Sequence, residues 1–168
     1  MIQKLDNPLT SDYINLKNFI SSIDFPWFRL PNTTLNIKDD GISFFTHTFL
    51  ERPEVNIGYS KSNSPYIDGC LKVLHQIIIS NGVEFNYFIR ASANLVSPCP
   101  TVKKTVEHCD HQFPHKNILI YLSESDGNTM VDGEIFSPQE DCGIIFTGKH
   151  CHYTPTNKDR IVLVGTFI

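Results

Sequence analysis

Apolar residues in the first half of the chain recur with the spacing of amphipathic helices. The pattern predicts one helix over residues 11–23, with Ser11-Asp12 as a start signal, and a second over residues 65–82. The Asn81-Gly82 pair is a typical helix end, because glycine readily takes the left-handed conformation found there. Each helix has one apolar stripe, so each is expected to pack on a core with its other side in solvent.

The second half of the chain has the period-two alternation of β-strands. Residues 83–96 place Arg90 and Asn94 on a polar face, and residues 117–123 place Tyr121 on the same face as Asn117. Tight turn signals rich in Asp and Gly separate the strands. Shorter strands are predicted at 42–50, 134–136, 143–146 and 160–168.

Two helices followed by many short strands predict a mainly β protein with supporting α-helices, arranged as an antiparallel sandwich or barrel. The sequence has no internal repeat, linker or low-complexity tract, so a single domain over residues 1–168 is expected. Within that domain the helices and flanking strands occupy about 1–82, and the barrel core occupies about 83–168.

Composition narrows the classes of function. Of the 168 residues, 19% are charged and 40% are hydrophobic, which argues against both a disordered chain and a coiled coil. A formal net charge of −4 argues against a protein that coats nucleic acid, since such a protein normally has a basic surface. Nucleic acid is therefore a disfavoured partner, although a pocket for a single nucleotide is not excluded.

The cysteines and the apolar runs indicate the compartment. Five cysteines form no CxxC pair, so neither a zinc ribbon nor a thioredoxin-like motif is predicted. The first residues lack the pattern of a secretory signal, and no apolar run approaches the roughly 18 residues of a membrane span. We therefore expect a cytoplasmic protein with reduced thiols and no membrane partner.

Candidate metal chemistry begins at His108-Cys109-Asp110, because an extended segment points residues i and i+2 to the same side. A later histidine, His152, shares its face with His150, so either could be a third ligand. Two histidines and one carboxylate on one face of a metal leave the opposite positions open, which suits iron(II) oxygenases. The short motif alone is equally typical of a surface histidine beside an acidic turn residue.

Arg160 opens the apolar strand at the end of the chain. Burying a guanidinium alone is costly, and a carboxylate ligand gripped by two hydrogen bonds is its natural partner. The alternatives are an arginine that reaches solvent at the strand's edge and one that pairs with a nearby acidic residue.

Residues 108–168 resemble the double-stranded β-helix core, a jelly-roll or cupin-like barrel, of the iron(II)/2-oxoglutarate oxygenase superfamily. The similarity is greatest to the prolyl-hydroxylase-like branch and to small phage and marine-bacterial members. It extends loosely to residues 90–95 and hardly at all into the N-terminal half. The matching pieces are His108 and Asp110, the apolar strand ending at Tyr121-Leu122, the turn with Gly127 and Thr129, the strand at 143–146, His152 and Arg160.

The resemblance implies that His108, Asp110 and His152 ligate iron(II). It favours His152 over His150, because the ligand in relatives follows the turn at Gly148 by four residues. It also implies that 2-oxoglutarate chelates the iron through its 1-carboxylate and 2-oxo group, so that the far carboxylate is left for the protein to bind.

The remaining co-substrate contacts are implied in the same way. Arg160 would clamp the far carboxylate and Tyr121 would offer it a hydroxyl, with Asn94 and Thr129 in the same pocket. Val162 departs from the pattern, because many members have serine or threonine two residues after the clamp. The pocket is therefore expected to be less polar than in those members.

The other histidines and two cysteines are expected to stay off the metal. Solvated or supporting positions are predicted for His111 and His115, surface positions for His47 and His75, and buried positions turned away from the metal for Cys109 and Cys151.

The activity that the resemblance implies is that of a dioxygenase using iron(II), 2-oxoglutarate and O2 to hydroxylate a substrate, with release of succinate and CO2. Because Asp110 fills the carboxylate position, halogenation is disfavoured. The substrate is open among a peptide, a free amino acid, a nucleobase and a small metabolite, with a peptidyl or free amino acid favoured and a nucleic-acid substrate disfavoured.

Two alternatives to this activity are kept. One is a cupin-like metal enzyme that does not use 2-oxoglutarate, and the other is a non-catalytic barrel that serves as a binding module. A monomer or small homo-oligomer is expected, in a host cytoplasm if the protein is phage-encoded.

Overall fold

The computed structural model of the chain describes residues 1–32 and 41–168. The architecture of this part is mainly β with two helices, as predicted. The elements in chain order are β1 Ile2–Leu5, α1 Ser11–Ile20, β2 Phe28–Leu30, β3 Phe44–Glu51, β4 Lys61–Ser62, α2 Ile67–Ser80, β5 Phe88–Val96, β6 Lys116–Tyr121, β7 Thr129–Val131, β8 Glu134–Phe136, β9 Gly143–Phe146, β10 His150–His152 and β11 Arg160–Phe167.

Helix α1 begins at Ser11 because the side chain of Thr10 accepts a hydrogen bond from the backbone N of Tyr13 at 3.2 Å. The helix ends at Ile20, and Ile23 is 99% exposed, so the predicted extension of its apolar face to residue 23 is wrong. Helix α2 ends where predicted, because Gly82 follows it with φ +65°. No helix in the described ranges is long and apolar enough to cross a membrane.

The main sheet is antiparallel and has the strand order β1-β9-β6-β11-β5-β3-β2, with β4 paired to β3. The last strand, β11, therefore lies in the middle of the sheet, between β5 and β6. A small sheet with the order β10-β7-β8 is separate from it. In the main sheet, neighbouring strands such as β1 and β9, or β5 and β11, are distant from each other in sequence.

The two faces of β11 bury different partners. Leu163 and Phe167 pack in the cluster that contains α2, whereas Val162 and Val164 pack in the cluster with the small sheet. The helices therefore cover one face of the main sheet, and the small sheet covers the other. Gly165 allows α2 to approach, since a Cβ there would lie 3.0 Å from Leu74 Cδ1.

Several strands differ from the prediction. Strand β5 begins at Phe88, so the predicted strand is wrong for residues 83–87, where Tyr87 is 60% exposed. The strands that the sequence pattern missed have two to four residues, too few to show a period of two. They are β1, β2, β4, β7 and β10.

Candidate metal centre

A cavity of about 970 Å³ is lined by residues of the main sheet and by residues of β7 and β10 in the small sheet. Its lining includes every residue that the sequence predicts for the metal and the co-substrate. They are Asn94, His108, Asp110, Tyr121, Thr129, His152 and Arg160, together with the alternative ligand His150.

Three of these side chains form a group that could hold a metal ion. One ligand atom from each of His108, Asp110 and His150 lies within 4.8 Å of the others. The Nε2 atom of His150 is 3.5 Å from Asp110 Oδ2, and the His108 and His150 rings are 4.5 Å apart between centroids. Two reciprocal backbone hydrogen bonds of 2.9 Å join His108 to His150, which fixes the two imidazoles side by side.

The local hydrogen bonds leave the ligand atoms of His108 and Asp110 suitable for a metal. The Nδ1 atom of His108 lies 2.9 Å from the carbonyl oxygen of Val106, so Nδ1 donates there and Nε2 keeps its lone pair. Asp110 Oδ1 accepts from Arg90 Nη1 at 2.7 Å, and Arg52 Nη2 lies 3.5 Å away. Burial would raise the pKa of Asp110, but Arg90, with smaller contributions from His150, His108 and Arg52, outweighs it, and together these groups hold that pKa well below its usual range.

The third imidazole of the group is neutral. Burial lowers the pKa of His150 to about 4, despite the opposing influence of Asp110. A metal ligand must offer a lone pair, so an imidazole that is neutral at physiological pH is ready to bind a cation.

His152, which the sequence favoured as the third ligand, lies outside this group. Its ring centroid is 6.5 Å from that of His108, and its Nδ1 atom is 3.0 Å from Thr129 Oγ1. The geometry therefore favours His150 over His152 as the third ligand. The physical reason is the backbone pairing of β10 with the segment at His108, which places residue 150 opposite the HxD motif.

Arg160 lines the cavity and is buried, with 6% of its surface exposed. Its Nη1 atom donates to the carbonyl oxygens of Gly127 at 3.2 Å and Tyr153 at 3.1 Å. Its Nε atom is buried without a hydrogen-bond partner, and no salt bridge in residues 1–32 and 41–168 joins it to an acidic side chain. A desolvated cation in this position favours an anionic ligand.

The other predicted co-substrate residues lie in the same cavity. Tyr121 is fully buried, and its Oη atom is 2.7 Å from Thr129 Oγ1. Burial raises the pKa of Tyr121 to about 12, so its hydroxyl keeps its hydrogen at neutral pH. Asn94 Oδ1 accepts a hydrogen bond from Thr46 Oγ1 at 2.7 Å, which holds the amide in the cavity wall. Val162 is the cross-strand neighbour of both Asn94 and Tyr121.

The supporting residues only partly match the prediction. His111 is buried beside the site, where its Nδ1 lies 2.7 Å from Glu54 Oε1 and its Nε2 lies 2.8 Å from Thr166 Oγ1. This agrees with a supporting position. Arg52 and Glu54 were missed, because they lie in an irregular segment after β3 that has no periodic pattern.

The other histidine and cysteine predictions had mixed outcomes. His47 is 5% exposed, and its ring nitrogens contact Pro26 O at 2.9 Å and Ser64 Oγ at 2.8 Å, so its predicted surface position is wrong. His75 is exposed, as expected. Cys151 is buried as predicted, whereas Cys109 is exposed, so its predicted burial is wrong.

Solved structures are similar to the chain in fold. No family model matches it, and no curated protein matches it significantly in sequence. An oxidoreductase of the 2-oxoglutarate/iron(II) oxygenase family from Burkholderia pseudomallei has a TM-score of 0.69 and 12% identity, over 99% of this chain and 84% of that protein. A Pseudomonas putida prolyl-4-hydroxylase has a TM-score of 0.59 and 15% identity, over 99% of this chain and 91% of its own.

A viral structure extends the same similarity. The collagen prolyl hydroxylase of Paramecium bursaria Chlorella virus-1, in complex with 2-oxoglutarate, has a TM-score of 0.56 and 13% identity, over 98% of this chain and 93% of that protein. The chain therefore has the fold of the iron(II)/2-oxoglutarate oxygenases, including the prolyl hydroxylases. The predicted double-stranded β-helix is confirmed.

Proposed function

We propose that the chain is an iron(II)- and 2-oxoglutarate-dependent dioxygenase that hydroxylates a substrate and releases succinate and carbon dioxide. The observation that carries the proposal is Arg160, a buried cation with no acidic partner among the described residues. It lines the same cavity as the group of two imidazoles and one carboxylate. A site for a metal alone has no use for a buried guanidinium without an acidic partner, whereas a site for a metal and a dicarboxylate requires an anion-binding group.

The residues present fit both ligands. His108, Asp110 and His150 would hold iron(II), because they offer two imidazole nitrogens and an ionised carboxylate within 4.8 Å of one another. Bound iron supplies, together with O2 and 2-oxoglutarate, the oxidising power needed to hydroxylate a C–H bond. Arg160 would bind the far carboxylate of 2-oxoglutarate, and Tyr121 would donate a hydrogen bond to it.

The protein's own task is to orient these groups and to exclude water. Leu119, Val162 and Val164 are buried apolar residues in the wall of the cavity that the metal group and Arg160 also line. A cavity with such walls has a low effective dielectric, which strengthens the attraction between Arg160 and a carboxylate. Asn94 and Thr129 add polar contacts to the same pocket.

A peptidyl or free amino acid is the favoured substrate class, by analogy with the prolyl hydroxylases that share the fold. We further propose that residues 1–168 act as one domain, as a monomer or small homo-oligomer in the cytoplasm. A succinate-release assay across metabolites and peptides distinguishes this substrate class from a small metabolite.

An anaerobic titration tests the proposal. Iron(II) is added to the protein without O2, and 2-oxoglutarate is then added while the visible spectrum is recorded. A weak charge-transfer band is expected, because the 2-oxo acid chelates the metal. The Arg160→Ala variant is expected to need a much higher 2-oxoglutarate concentration, whereas Arg29→Ala, at an exposed arginine of β2, serves as the matched control.

Other outcomes of the titration would contradict the proposal in distinct ways. Metal binding with a flat spectrum after addition of 2-oxoglutarate would favour a cupin-like metal enzyme. Failure to bind any divalent metal would favour a non-catalytic binding module. Unchanged 2-oxoglutarate affinity in Arg160→Ala would refute the assignment of the clamp.

A further inference from the structure

Three side chains that line the same cavity as Arg160 form one continuous series of hydrogen bonds. Tyr121 Oη lies 2.7 Å from Thr129 Oγ1, and the same Thr129 oxygen lies 3.0 Å from His152 Nδ1. The three residues come from β6, β7 and β10, and residues 129 and 152 are direct cross-strand partners. Tyr121 and Thr129 are both 0% exposed, so the hydrogen bond between them is shielded from solvent.

The direction of this series depends on His152. The Thr129 hydroxyl has a single hydrogen, so it can donate to only one of its two neighbours and must accept from the other. If His152 Nδ1 carries a hydrogen, it donates to Thr129, Thr129 donates to Tyr121, and the Tyr121 hydroxyl can donate to a further group. If Nδ1 carries no hydrogen, Thr129 donates to His152, and the Tyr121 hydroxyl donates to Thr129.

An anion held by Arg160 would select the first direction. Tyr121, His152 and Arg160 all line the same cavity. A carboxylate bound by Arg160 accepts hydrogen bonds only, and it therefore needs Tyr121 as a donor.

We propose that His152 is a positioning residue for the co-substrate, which acts through Thr129 to hold Tyr121 as a hydrogen-bond donor to the far carboxylate of a five-carbon 2-oxo dicarboxylate. This inference rests on the proposed function and assigns to His152 a role other than metal ligation. The series runs from His152 Nδ1–H to Thr129 Oγ1, and from the Thr129 hydroxyl to Tyr121 Oη.

Calorimetry on the Mn(II)-loaded protein provides the test, with two probes that differ only in the far carboxylate. The probes are 2-oxoglutarate and 2-oxopentanoate. His152→Leu and Thr129→Val are each expected to weaken 2-oxoglutarate about tenfold, the effect of one hydrogen bond to a charged group. Neither change should alter the affinity for 2-oxopentanoate or the Mn(II) stoichiometry. His75→Leu, on the exposed side of α2, is the control.

The conservative variant His152→Asn makes the test specific, because the amide nitrogen of asparagine can replace Nδ1 as a donor. Its 2-oxoglutarate affinity is expected to stay within about threefold of the wild type, well above that of His152→Leu. Equal weakening in His152→Asn and His152→Leu would overturn the inference. So would parallel losses for the two probes, or loss of Mn(II) from His152→Leu.

Failure of the proposed function looks different in this experiment. The wild-type protein would then bind Mn(II) and show no preference for 2-oxoglutarate over 2-oxopentanoate, and both proposals would fall. A wild-type preference that His152→Leu leaves unchanged would remove the inference about His152 alone.

Discussion

The carboxylate of Asp110 lies 2.7 Å from Nη1 of Arg90, and the two side chains are 7% and 17% exposed. Strand β5 therefore supplies the largest of the charges that together keep Asp110, a proposed metal ligand, ionised inside the protein. Arg160, which lines the same cavity, has no such acidic partner in the described part of the chain. Substitution of Arg90 should therefore destabilise the protein more than substitution of Arg160.

Arg90→Met is expected to destabilise the metal-free protein. Removing one partner of a buried ion pair leaves the other charge uncompensated, and the expected loss is about 3 kcal/mol, at the lower end of the usual range because Arg52 lies nearby. The free energy of unfolding from urea titrations measures the effect. A loss below about 0.5 kcal/mol, as at ordinary surface sites, would mean that the pair does not hold Asp110.

Arg160→Met is expected to cost the metal-free protein less stability than Arg90→Met, because it removes a desolvated charge and leaves the carbonyl oxygens of Gly127 and Tyr153, but no carboxylate, without a donor. The same change should abolish measurable 2-oxoglutarate binding at the concentrations that saturate the wild type. Urea titration measures the stability, and calorimetry on the same preparation measures the 2-oxoglutarate affinity. A stability loss as large as that of Arg90→Met would indicate that Arg160 is a structural residue.

Gly165→Ala is expected to cost about 1–3 kcal/mol by overpacking. A Cβ at this position would lie 2.9 Å from Ile118 Cγ2 and 3.0 Å from Leu74 Cδ1, between the main sheet and α2. Gly69→Ala is the matched control, since nothing lies within 4 Å of its Cβ position and alanine favours a helix. Chemical denaturation should rank Gly69→Ala above the wild type and Gly165→Ala below it; the reverse order would contradict the packing described here.

Stability should fall at alkaline pH through the contact of α1 with Asp141. Tyr13 Oη and Lys17 Nζ lie 2.5 Å and 2.6 Å from Asp141 Oδ1. Burial raises the pKa of Tyr13, and the negative charge of Asp141 raises it further. Burial alone would lower the pKa of Lys17, but Asp141 and Glu140 together outweigh burial, so that the pKa of Lys17 is also raised. Both folded-state pKa values exceed the unfolded ones, so the stabilisation is present below about pH 10 and is lost as the pH rises further.

Tyr13→Phe isolates the tyrosine part of this effect, because phenylalanine cannot ionise. The decline of the unfolding free energy between about pH 9 and pH 11 should be shallower in Tyr13→Phe than in the wild type. Identical slopes would show that the tyrosine does not contribute.

The sequence predicts those features of the site that depend on neighbours along the chain. The period of two places His108 beside Asp110, and the position of Arg160 at the start of an apolar strand indicates a buried cation. The same period puts His150 and His152 on one face, so it cannot distinguish them. Their separation follows from the long-range pairing of β10 with His108, which local pattern does not encode.

The parts of the fold that the sequence did not predict likewise depend on contacts between residues distant in the chain. Strands of two to four residues, such as β7 and β10, form because longer strands place them together, and they have no alternation of their own. Arg52 and Glu54 approach the site from an irregular segment, where no spacing rule applies. In contrast, the fourteen-residue helix α2 carries enough periodic positions to be predicted closely.

The metal stoichiometry of single histidine variants, measured by equilibrium dialysis with Fe(II) in the absence of O2, tests the ligand set most directly. We expect His108→Ala and His150→Ala to lose the bound ion, while His152→Ala and the exposed control His75→Ala retain one ion per chain. Retention of the ion by His150→Ala, together with its loss from His152→Ala, would contradict the ligand set proposed here.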